Sequence, residues 1–176
     1  VAPDLRVRFS TSHPKDMSNA VLYSMAMYSN ICTHIHLPVQ SGSDRMLEKM
    51  NRKYDSATYL ERIDKIREII PDAAITTDII AGFCSETEED HQATIELMKN
   101  VKFDSAFMFQ YSQRPNTKAA RHFEDDVPLE TKTRRLNEII ELQSAISLER
   151  NKDCIGKIYE VLIEGTSKRD SDQLFG

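Results

Sequence analysis

The residues able to do chemistry sit where a buried strand should be apolar. HIHLPVQ, residues 34–40, begins like a core strand, yet His34, His36 and Gln40 on one side of it are polar. AITTDIIAGF, residues 74–83, repeats the anomaly with Thr76 and Asp78. An aspartate in such a place can accept both hydroxyls of a vicinal diol, such as that of a ribose. Gln40 can donate and accept at a sugar or amino-acid group, and Arg52 can fork a carboxylate. Ile80, two residues past Asp78, adds an apolar shelf. His34 and His36 have a spacing that would suit a metal, but no third ligand accompanies them, so hydrogen bonding inside the fold is the simpler role.

The elements that must hold these groups follow from periodicity. LRVRFS, residues 5–10, alternates like a half-buried strand, and residues 17–28 read as a helix. After the 34–40 strand come a short helix near 44–50 and a longer one with Tyr59, Ile63, Ile66 and Ile70 on one face, stopped by Pro71. The 74–83 strand precedes a helix opened by a capping box at Thr87 and Asp90. Residues 103–112 form a fourth strand, and a long helix runs over 129–153 with Gly156 as its stop. Strands and helices alternating in this way predict an α/β fold, with βαβ crossovers and parallel strands.

Four parallel strands do not close a barrel, so the expected architecture is an open partial (βα) barrel with helices outside. The helix-facing set, chosen for apolarity, is Leu5, Val7, Phe9; Ile35, Leu37, Val39; Ile75, Thr77, Ile79; and Phe103, Phe107, Phe109. The inward set is Arg6, Arg8, Ser10; His34, His36, Gln40; Thr76, Asp78, Ile80; and Met108, Gln110, Ser112. Burying that many polar groups costs several kcal/mol each unless they are paired or solvated. A polar interior therefore predicts a ligand, held at the carboxyl ends of the strands. Segments 12–14, 40–43, 78–82 and 112–114 converge there. A ribose, a carboxylate and an apolar ring together describe S-adenosylmethionine (SAM).

Composition sets the outer bounds. The 176 residues suit one ordinary domain, with 40% hydrophobic and 29% charged residues. No apolar run is long enough to span a bilayer. Val1 opens the chain without a methionine, which reads as a piece cut from a longer protein. Cys32, Cys84 and Cys154 are too scattered for a CxxC site and read as reduced thiols of a cytoplasmic protein. The formal charge of −5 argues against broad nucleic-acid binding but leaves room for a local basic patch. Arg134, Arg135, Lys168 and Arg169 are candidates for RNA contact, against the alternative of solvated surface charge. Glu88 and Glu89 read as ordinary solvated helix positions.

RFSTSHP, HLPVQSGSDRMLEKMNRKY, TTDIIAGF followed by SETEED, and FQYSQRPNTKAA, in this order, resemble the radical-SAM methylthiotransferases. HLPVQSGS is closer to the tRNA-modifying branch than to the branch acting on a ribosomal protein. The resemblance implies a radical-SAM barrel over 1–156 and, from YEVLIEGTSKRD, the start of an RNA-binding, β-type TRAM module over 157–176. It implies SAM as cofactor, with Gln40 and Arg52 at its methionine end and ribose, Asp78 at the ribose hydroxyls, Ile80 at adenine and the backbone of Tyr111 and Ser112 also at adenine. It implies tRNA as partner and a methylthio group added to carbon 2 of a modified adenosine beside the anticodon. Two departures stand out. GFCSET, residues 82–87, replaces the family's usual GFPGET, which puts the local turn in doubt. The CxxxCxxC motif for the [4Fe–4S] cluster is absent, so the cluster ligands are expected outside this chain and the chain alone is expected to be inactive. Rival readings are a methylthiotransferase with another target, or a noncatalytic nucleotide- or RNA-binding module.

Overall fold

A computed structural model describes residues 5–8 and 13–175. Sequence expectations for Phe9, Ser10 and Ser12 fall outside these residues. Three strands, β1 (His34–His36), β2 (Ala74–Ala81) and β3 (Ser105–Gln110), form a parallel sheet in the order β1-β2-β3. The expected 5–10 strand is visible as one parallel bridge, Val7 to Ile31, with Val7 N–H donating to Asn30 O at 2.8 Å. Six helices, α1 (Asn19–Met27), α2 (Asp44–Lys49), α3 (Ser56–Ile69), α4 (Glu88–Val101), α5 (Lys118–His122) and α6 (Leu129–Lys152), complete the described α/β part.

Local chemistry explains the boundaries. Ser18, Ser43, Asp55, Thr87 and Thr117 each cap a helix with a side-chain oxygen, and Thr87 with Asp90 forms the expected reciprocal capping box. One core joins Leu22 and Met25 of α1, Tyr59, Ile63 and Ile66 of α3, Met98 and Val101 of α4, and Ile139 and Ile146 of α6 to Ile35, Ile75, Ile79 and Ala106 of the sheet. Thr77, polar on this apolar side, donates to Leu37 O (2.9 Å) and accepts from Val39 N–H (3.0 Å). It thereby stitches the stretch around Pro38 where β1 leaves the ladder. Gln40 returns to the sheet as a bridge to Ile79. Gly42 is obligatory for a different reason: a Cβ there would run into the Ala93 carbonyl and Thr94 Cα of α4.

Two expectations are corrected. On β3 the register pairs Asp78 with Phe107 and Ile80 with Phe109, so these phenylalanines share the open face and are 58% and 55% exposed. Ala106 and Met108 instead pack toward the helices, and Gln110 reaches Thr133 Oγ1 of α6 at 3.2 Å. Apolarity misassigned this strand because Phe103, which set the parity, precedes the strand and is buried in the core. The second correction is at 157–164, where alternation predicted a strand. That stretch is exposed, and a ladder forms only between β4 (Gly165–Thr166) and β5 (Leu174–Phe175). Alternation supplies a face, but a strand also needs a neighbour to bond.

Candidate active site

The open face of the sheet leads to a cavity of about 480 Å³ at the carboxyl ends of the strands, within the size range of small-molecule sites. Its lining includes Gln40, Asp78, Ile80, Tyr111 and Ser112. Five of the six residues expected at the site are therefore brought together. Arg52 is not among the lining residues; it follows α2, with its N–H donating to Leu47 O. Among the described residues its guanidinium has no partner, and its charge opposes the upward push of burial on the Tyr54 phenol. Phe109, Arg114, Thr117 and Ala119 complete much of the wall. Phe109 was hidden by the parity error on β3.

Gln40 is 7% exposed and adopts φ 71°, a left-handed conformation unusual for a residue with a side chain. Its N–H donates to Asp78 O (2.8 Å) and its O accepts from Ile80 N–H (2.9 Å), so the backbone is fully used. The side-chain amide has no hydrogen-bond partner among the described residues. Asp78 leans on His36, whose Nε2 is 3.3 Å from Oδ1, and no hydrogen bond engages its Oδ2 among the described residues. Thr76 Oγ1 lies 3.0 Å from both His34 Nε2 and His36 Nδ1. Thr76 thus links the two rings: with His34 donating to Thr76 Oγ1, the hydroxyl donates to His36 Nδ1, and His36 Nε2 is left facing the Asp78 carboxylate. Burial first, then the charges of Arg8 and His36, push the His34 pKa down, with Asp104 opposing. Both histidine rings are hydrogen-bonded to Thr76 on the open face.

The outer wall rests on a small second core of Met46, Phe83 and Cys84, against which Tyr111, Ala119 and Phe123 pack. Tyr111 N–H continues the ladder to Ala81 O at 2.8 Å, while its ring meets Phe83 edge-on at 4.8 Å. Burial, with the neighbouring Cys84 thiol adding to it, pushes the Tyr111 phenol up to about 12. The adjoining GFCSET turn is left-handed at Ser85. Ser85 takes φ 60°, where the family's glycine would stand, and is held by Asp126 Oδ1, Arg45 and Lys49.

The serines of the QSGS segment serve the frame, not the cavity. Ser41 and Gly42 bond Thr94 Oγ1, and Ser43 Oγ donates to Asp90 Oδ1 at 2.5 Å. Arg134 and Arg135 both make ion pairs within the protein. Arg135 is buried and binds Glu86 Oε1 at 2.9 Å and Glu88 at 3.2 Å, while Arg134 binds Glu88 and Glu138. Glu88, His91 and Glu138 offer ligand atoms within 4.8 Å of one another, but both carboxylates are already matched by arginine, so the cluster ties α4 to α6. Another cavity, about 510 Å³, opens beside Arg6, His34 and Glu160 at the amino ends of the strands, away from where parallel sheets place their chemistry.

The family model of the Radical SAM superfamily matches residues 1–98. The chain belongs to the radical SAM superfamily. Coproporphyrinogen III oxidase of Escherichia coli, a radical SAM enzyme, superposes with a TM-score of 0.67 at 21% identity, covering 82% of this chain and 33% of that one, which shows the radical SAM fold. The chain is 60% identical over 175 residues to the tRNA-2-methylthio-N(6)-dimethylallyladenosine synthase of Bacteroides thetaiotaomicron, and 58% identical over 174 residues to that of Porphyromonas gingivalis. Each alignment takes in 99% of this chain and 38% of the relative. The chain thus spans well under half the length of these curated relatives. No helix among the described residues is long and apolar enough to cross a membrane.

Proposed function

We propose that this radical SAM chain is the SAM-holding part of a cytoplasmic tRNA methylthiotransferase. The observation that carries the reading is Gln40: its side chain is buried at a cavity wall, its backbone is strained into place, and its amide is left without a partner. A ligand entering the cavity can take up the bonds that this amide otherwise leaves to solvent. SAM fits the donor set. Asp78 takes the ribose hydroxyls through its free oxygen, Gln40 and Arg52 hold the methionine end, and Ile80 lies against adenine beside the backbone of Tyr111 and Ser112. Bound there, SAM would supply the radical that activates carbon 2 of an adenosine beside the anticodon, and a further SAM the methyl group carried on the incoming sulfur, which comes from outside this chain. The [4Fe–4S] clusters that this chemistry requires take their cysteines from outside this chain, because Cys32, Cys84 and Cys154 form no shared site and one thiolate does not hold a cluster. The chain alone is therefore inactive.

Residues 1–156 are the barrel part, and 157–176 begin a TRAM module. Ile158 at 100% exposure and Val161, Leu162 and Ile163 at 50% or more are apolar side chains awaiting cover, which supports that division. The test is SAM titration of the cluster-containing protein. Asp78→Ala and Arg52→Ala should each weaken binding about ten- to a hundredfold, or ~1.5–3 kcal/mol, with iron content unchanged. Unchanged affinity in both variants would remove this cradle.

A further inference from the structure

Residues 113–122, QRPNTKAARH, contain Arg114, Lys118 and Arg121 and no carboxylate, within a chain whose formal charge is −5. The segment forms the rim of the Asp78 cavity: Arg114 and Thr117 line it, and α5 follows directly. Its position is fixed. Arg114 O accepts from Thr117 Oγ1 at 2.9 Å, Thr117 caps α5, and Ala119 and Phe123 pack on the second core. With Ala119 and Phe123 inward, Lys118, Arg121 and His122 are left exposed, at the i, i+3 and i+4 spacing of one helix surface.

This rim is electrostatically one-sided. No side-chain hydrogen bond or ion pair engages Arg114, Lys118 or Arg121 among the described residues. Nearby carboxylates are mostly committed, Asp125 to Lys132 and Asp126 to Ser85 N–H, leaving exposed Glu124. Lys118 opens α5, where a cation opposes the helix dipole and no acidic residue offsets it. Elsewhere the same chain pairs its arginines closely, as Arg134, Arg135 and Arg150 show. Unpaired cations around the mouth of a cavity that holds the cofactor are complementary to a polyanion whose base is presented at that mouth.

We propose that Arg114, Lys118 and Arg121 form a phosphate clamp that grips the RNA backbone beside the base presented to the Asp78 cavity. The inference rests on the reading of the substrate as tRNA. Its test is the salt dependence of binding of a short RNA hairpin with an adenosine-containing loop to the full protein, measured by fluorescence anisotropy. The Lys118→Gln/Arg121→Gln variant should bind roughly tenfold more weakly, and the slope of log affinity against log salt should fall by about 0.7 per lost contact. Its SAM affinity and thermal midpoint should stay those of the wild type. A Lys65→Gln/Lys99→Gln control removes the same charge from exposed pairs on α3 and α4 and should leave the slope unchanged. An unaltered slope in the rim variant, or an equal fall in the control, would overturn the clamp alone. A wild-type protein that binds SAM but no RNA would overturn the tRNA reading and the clamp with it.

Discussion

The seam between α4 and α6 and the wall of the Asp78 cavity are built from the same residue types, and they differ in how those residues are matched. At the seam each charge has an opposite within reach. Glu86 receives Gly82 N–H and Arg135, and Arg134 bridges Glu88 and Glu138; on the α2 side of α4, Asp90 is matched in the same way by Ser43, Arg45 and Thr87. At the cavity, Asp78 has only His36 beside it, and the Gln40 amide and the Arg114 guanidinium have no hydrogen-bond partner among the described residues. Saturated polar groups hold a fold together, whereas unsaturated ones at a cavity store binding capacity. The count of charges does not separate the two regions; pairing does.

The sharpest way to break this contrast is at Arg135. Arg135→Ala leaves Glu86 buried without its counter-ion and should cost about 3–5 kcal/mol of stability, read by urea denaturation. A loss under about 1 kcal/mol would mean the seam is not held by its ion pairs. Asp78→Ala, by contrast, should move SAM affinity and hardly move the unfolding curve.

Acid should separate the regions next. Arg134, against partial burial and aided by Arg135, holds Glu88 down to about 2. For Asp90, burial pushes the pKa up, but hydrogen bonds from Arg45, Ser43 and Thr87 prevail and hold it well below the usual carboxylate range. Groups with depressed folded-state values contribute stability above their unfolded values and lose it as pH falls. His34, also depressed, acts in the same direction just below its ordinary value of 6.5. Glu86 opposes, because burial raises it despite Gly82 and Arg135 and it takes up its proton first in the folded state. Stability should therefore fall slightly from pH 7 to 5 and steeply below about 4.5, as measured by thermal midpoints across pH. A midpoint that rises between pH 4.5 and 3 would contradict the seam assignment.

The smallest effect is expected at the turn joining the two regions. Ser85→Gly relieves φ 60° but gives up the bond from Lys49 and adds freedom to the unfolded chain. The balance should lie within about 1 kcal/mol of zero in the same denaturation assay. A loss above about 2 kcal/mol would show that the side chain, not the backbone shape, maintains the turn.

Much of this molecule could be read in its residues. The Thr87 and Asp90 capping box, the long helix from Leu129 and the convergence of Gln40, Asp78 and Ile80 all follow from local periodicity and from polar residues in otherwise buried strands. What escaped depends on distant partners. Arg134 and Arg135 look like solvent-facing charges until α6 is laid against α4. Phe109 looks like core until the register with Ile80 puts it on the open face. Ser41 and Ser43 look like ligand groups because their partners, Thr94 and Asp90, lie about fifty residues away in the chain. Composition carries no information about which charge will be matched.

The interruption at Pro38 has a kinetic consequence. Between His36 and Gln40 the cavity wall is held by side chains: Tyr54 OH donates to Pro38 O and Val39 O (3.1 Å each), and Tyr59 OH of α3 donates to Leu37 O at 2.8 Å. Local opening of this wall therefore requires α3 to loosen, so the amides of both should exchange with solvent as one cooperative unit. By thermodynamic reciprocity, a ligand that clamps Gln40 must also slow exchange in α3, although α3 contributes no residue to the cavity lining.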